Sequence, residues 1–72
     1  MIEDWVRQNP RVFTLQVHDR HQDARLQLHA TIKNKVWSLF IGHEFIADFQ
    51  TFEELDGMVP VLVNGYLNRR HE

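Results

Sequence analysis

From Ala24 to Lys33 every second residue is apolar: Ala24, Leu26, Leu28, Ala30 and Ile32 fall on one side of an extended chain. Arg25, Gln27, His29, Thr31 and Lys33 fall on the other. A period of two sustained over ten residues fits a half-buried β-strand and no helix. It also implies an antiparallel sheet with one face on a core and one open. Asn34-Lys35 follows at once, and Asn tolerates the positive φ of a two-residue hairpin turn. That turn sets Ile32 opposite Trp37, Ala30 opposite Leu39 and Leu28 opposite Ile41, so both strands present apolar residues to the same face.

The same alternation extends in both directions. In Arg11–His18, Phe13, Leu15 and Val17 share a side. Gly42-His43-Glu44 is expected to turn the chain back into a strand over Phe45–Gln50, with Ile41 facing Phe45, Leu39 facing Ala47 and Trp37 facing Phe49. A single long strand bulged at Gly42 is the competing reading. Residues 2–9 are expected to form a short helix, because Ile2, Trp5 and Val6 share a helical face and Glu3 and Asp4 suit its N-terminus. Thr51-Phe52-Glu53-Glu54 has the form of a capping box, and Phe52, Leu55, Val59, Leu62, Val63 and Tyr66 then recur at helical spacing. Gly57 and Pro60 interrupt that stripe, and Pro60 predicts a kink or break near 56–60. The expected architecture is one α+β domain over residues 1–72. A four-stranded antiparallel meander packs on the C-terminal helix, with the short N-terminal helix in addition. This element order resembles that of several small single-stranded-DNA-binding and phage-type inhibitor folds, a likeness of architecture that carries little functional weight.

With 72 residues and no cysteine, the chain has no disulfide, zinc-ribbon or thiol chemistry open to it and must fold by packing or with a partner. A doubly wound nucleotide-binding fold does not fit in this length. Net charge is −2, with residues 1–36 at +2 and residues 37–72 at −4, so no global basic field recruits nucleic acid. No apolar run approaches a membrane span and the first residues lack a basic leader, so a cytoplasmic protein without membrane contact is expected. No nucleophile–base pair and no Gly-rich phosphate loop is present, and neither enzymatic activity nor a cofactor is expected.

Two regions are candidate sites. The turns at His18–Asp23 and Gly42–Glu44 lie at the same end of a meander, where His18, His21 and His43 could offer imidazoles to a metal, although loop histidines at this spacing have little specificity. The outer sheet face carries more information. It is expected to hold Val12, His29, Phe40 and Ile46 in one row, with Val36 extending the apolar area, Arg25 beside Glu44, and Glu44, Asp48 and Glu53 as an acidic flank. An apolar row on a face that should be polar calls for a cover: the N-terminal helix, a second copy in a homodimer, or a larger protein partner. The leading expectation is a small protein-interaction module. Single-stranded nucleic acid on the same face is the alternative, weakened by the presence of only one ring, Phe40, among Arg25, Lys33 and His29.

Overall fold

A computed structural model describes residues 4–19 and 24–70, with the backbone alone at Asp19, Ala24 and Arg70. Among the described residues the chain forms β1 (Val6–Asn9), β2 (Val12–Asp19), β3 (Ala24–Lys33), β4 (Val36–Ile41), β5 (Glu44–Phe49) and α1 (Phe52–Arg70). The strands lie side by side in chain order, each antiparallel to the next. Helix α1 covers one face through Leu55, Val59 and Val63. These pack on Leu15, Leu26, Leu28, Ala30, Leu39 and Ile41, the inward residues of β2, β3 and β4.

The expected N-terminal helix is replaced by the edge strand β1, so the sheet has five strands and not four. Trp5 is buried in the core while Val6 is 59% exposed on the opposite side, a period of two where the sequence suggested a helical face. The physical reason is hydrogen bonding. An isolated helix of eight residues is marginal in water, whereas the free edge of β2 offers partners to a short strand. Asn9-Pro10-Arg11 makes the return: Asn9 Oδ1 accepts from the Arg11 amide at 2.8 Å, a side-chain mimic of a turn, with Pro10 fixing φ. Ile2, the remaining member of the expected helical face, lies outside the described residues.

The β3–β4 hairpin pairs Ile32 with Trp37, Ala30 with Leu39 and Leu28 with Ile41, as the alternation requires. At the turn φ is 53° at Asn34 and 65° at Lys35, the two positive values of a type I′ turn. Lys35 has a Cβ and strains there. Lys35→Gly is expected to stabilise the protein by about 0.5–1 kcal/mol, the left-handed penalty removed less the extra freedom of glycine when unfolded. Urea unfolding of the two proteins measures it, and a lower midpoint for the glycine variant would contradict this account.

The β4–β5 connection is a hairpin, but its loop is Gly42-His43 and not three residues. Gly42 alone has positive φ, at 61°, the pattern of a II′ turn. Trp37 faces Phe49 and Leu39 faces Ala47 as expected, whereas Ile41 faces Glu44 and Phe40 faces Phe45. The shift between Leu39 and Phe40 is a bulge that absorbs one extra residue, Ile46, on β5. A turn and a bulge thus coexist, four residues apart in the chain.

Helix α1 begins as its capping box predicts: the Glu54 amide donates to Thr51 Oγ1 at 3.1 Å. The reciprocal bond differs from expectation, since the Glu54 carboxylate accepts from the Thr51 hydroxyl at 3.3 Å and not from its amide. The helix then runs unbroken through Gly57 and Pro60 to Arg70. Pro60 is exposed, so the Asp56 carbonyl that it leaves without a helical donor can be met by water. Around the helix start, Phe52 stacks on Trp37, Phe13 and Trp5 at ring separations of 5.0, 5.3 and 5.4 Å. Trp5 Nε1 donates to Asp56 Oδ1 at 2.9 Å, tying β1 to α1.

Candidate interaction surface

The face of the sheet turned away from α1 is built by the outward residues of all five strands. Register alone defines one continuous row across it: Val6, Thr14, His29, Phe40 and Phe45. This row differs from the expected one at both ends. Val12 pairs with Thr31 and not with His29, and belongs to a neighbouring row that continues through Ser38 to Asp48. Ile46 is not on this face: the bulge turns it to the helix side, where it is half-buried against the core. Phe45 takes the outward position instead, 53% exposed, and meets Phe40 edge to face at 5.6 Å.

The row divides into two zones. At the β4–β5 side the Phe40–Phe45 pair is apolar, and Val36, 39% exposed, adds to the same face at the far end of β4. Toward β1 the face is mixed, with Val6 59% exposed among glutamines. Gln8 Nε2 donates to Thr14 Oγ1 at 2.9 Å and buries that hydroxyl. Gln16, Gln27, Gln8 and Val6 line a shallow groove of about 660 Å³ there. Arg25 donates to Gln16 Oε1 at 3.1 Å and lies across from His18, not beside Glu44.

The acidic flank is dispersed by the fold. Glu44 accepts from Arg69 on α1 at 3.3 Å, on the helix side of the sheet. Asp48 accepts from Ser38 Oγ at 2.6 Å on the outer face, and Glu53 sits in the first turn of α1, where its charge favours the helix dipole. Of the three histidines considered as ligands, His18 lies on β2, His43 in the β4–β5 turn, and His21 outside the described residues. No group of three or more metal-ligating side chains comes together among the described residues. No helix among them is long and apolar enough to cross a membrane.

Comparison of the chain with protein-family models, with curated proteins and with solved structures finds no match. The geometry of this face therefore carries the functional argument alone.

Proposed function

We propose that the chain is a small non-enzymatic protein-interaction module whose outer sheet face binds a partner protein. The observation that carries this reading is the Phe40–Phe45 pair, two rings held edge to face on the uncovered sheet surface, with Val36 exposed on the same face. Its surroundings suit an interface: an aromatic anchor, with His29 across from Phe40 and Thr31 and Ser38 in the next row as hydrogen-bonding neighbours at the rim. The rings are presented by β-strands, so little side-chain or backbone freedom is lost when they are covered.

Panning a displayed random-peptide library on the immobilised protein tests the reading. Apolar peptides are expected to be enriched, and Phe45→Glu is expected to weaken their capture on the order of thirtyfold, the effect of losing an aromatic hot spot. Enrichment that is indifferent to both Phe45→Glu and Phe40→Glu would remove the face from consideration.

One observation favours a second reading. Phe45 supplies a second ring beside Phe40, with Arg25 and Lys33 on the same face, and single-stranded nucleic acid stacks on such rings. Its signature is salt dependence: phosphate contacts lose affinity steeply between about 50 and 200 mM salt, apolar docking does not. Asp48 on that face and the net charge of −2 oppose it.

A further inference from the structure

We propose that two copies of the chain associate antiparallel through the outward face of α1, on the side of the molecule opposite the Phe40–Phe45 face of the sheet. Val61 points away from the core-facing Leu55, Val59 and Val63 and is 63% exposed; Met58 beside it is 40% exposed. From Gly57 to Asn68 the helix carries no charge, an unusual length for a surface that meets only water. Gly57 and Gly65 stand one turn either side of Val61, and a Cβ at either would meet nothing within 4 Å. Packing within one copy therefore does not account for these two glycines, which are poor helix formers.

The charges at the ends of the same stripe identify the occupant. Glu53, Gly57, Val61, Gly65 and Arg69 recur every four residues, all exposed, with opposite charges at the two ends. When two such stripes are laid antiparallel about Val61, Val61 meets Val61, each Gly57 meets a Gly65, and each Glu53 meets the Arg69 of the other copy. A parallel pairing would set Glu53 on Glu53 and Arg69 on Arg69. The antiparallel pair is isologous and closes at two copies.

Rows of residues four apart are inclined to the helix axis, so aligning the two stripes crosses the axes at about 50°, which leaves Glu53 and Arg69 at the rim, where long side chains can bridge. Within one copy Arg69 already reaches Glu44 at 3.3 Å, but both side chains are more than half exposed and the guanidinium keeps further donors. From Glu53 to Arg69 the helix spans about 24 Å. A contact of that length buries less than the roughly 800 Å² per partner of a stable complex, so the dimer is weak and concentration-dependent.

Sedimentation equilibrium from about 10 µM to about 1 mM spans the affinities expected of such a contact. The average mass is expected to rise from 8.7 kDa toward twice that value. Val61→Glu and Arg69→Glu should each weaken association at least about tenfold. The double variant Glu53→Arg/Arg69→Glu should recover most of the loss of Arg69→Glu, and Phe45→Glu should leave association unchanged. Circular dichroism verifies that each variant is folded. A protein that stays at 8.7 kDa throughout overturns the proposal, as does association that survives Val61→Glu or is lost in Phe45→Glu. Failure of the charge swap to recover association overturns the antiparallel arrangement. Peptide capture by the sheet face is read separately, so either proposal can fail without the other.

Discussion

Trp5→Ala lowers the unfolding free energy by about 3–5 kcal/mol, the cost of emptying a large aromatic site in a core that cannot fully collapse. Three features converge on this side chain. It is 8% exposed, it stacks edge to face on Phe52 at 5.4 Å, and its indole donates to Asp56 at 2.9 Å. It is also the anchor of β1, since Val6–Asn9 are exposed throughout and hold the sheet by backbone pairing. Removing it releases a strand as well as a side chain. A domain this small has a total stability near the low end of about 5–15 kcal/mol, so the variant is expected to be largely unfolded at 37 °C. Trp5→Phe separates the contributions: it keeps an aromatic ring against Phe52 and loses the indole donor, for an expected cost of about 1–2 kcal/mol. Urea unfolding followed by circular dichroism gives both values. A loss below about 1 kcal/mol for Trp5→Ala would mean that β1 does not depend on the core for its position.

How far the sequence discloses this molecule depends on which physical signal each feature leaves in it. The β3–β4 hairpin is readable because two signals agree: the alternation of Ala24–Lys33, and Asn34-Lys35 with the length and chemistry of a two-residue turn. The helix start is readable from Thr51 and Glu54 for the same reason, side-chain chemistry at a fixed spacing. Strand β1 is not readable. Its four residues are exposed, and an edge strand held by backbone bonds leaves no apolar rhythm. The pairing of Val12 fails differently. A slip of two residues between β2 and β3 keeps every side chain on its own face, so alternation cannot tell His29 from Thr31 as its partner. Ile46 is the opposite case, where a single extra residue exchanges faces. Phe45, Ala47 and Phe49 alternate regularly and read as inward, and because Phe45 and Ile46 are both apolar, the pattern holds no sign of the bulge that exchanges them. Phe40 was thus legible as an outward residue of β4, whereas the outward ring beside it on β5 is Phe45, one position before the Ile46 that alternation selects.

Neighbouring substitutions on β5 test that exchange of faces, because Ile46→Glu and Phe45→Glu are expected to differ in kind. Ile46 is half-buried against the core and lines a groove with Leu62, Tyr66 and Val61 of α1. Replacing it with Glu forfeits about 1–2 kcal/mol of its partial apolar burial and brings a carboxylate toward Leu62, with a total cost of about 2–3 kcal/mol. The exposed Arg69 nearby offsets little of this, as surface ion pairs are worth about 1 kcal/mol or less. Phe45 is 53% exposed and loses chiefly its edge-to-face contact with Phe40, so Phe45→Glu costs about 1 kcal/mol. The expected result is a large drop in urea midpoint for Ile46→Glu with peptide capture retained in whatever fraction is folded. Phe45→Glu gives the reverse, near-normal stability with capture lost. Without the bulge, strict alternation from Ala47 would turn Ile46 outward and Phe45 inward, and both outcomes would swap. The stability order of these two variants therefore reports which residue faces the helix, independently of whether any partner has been found.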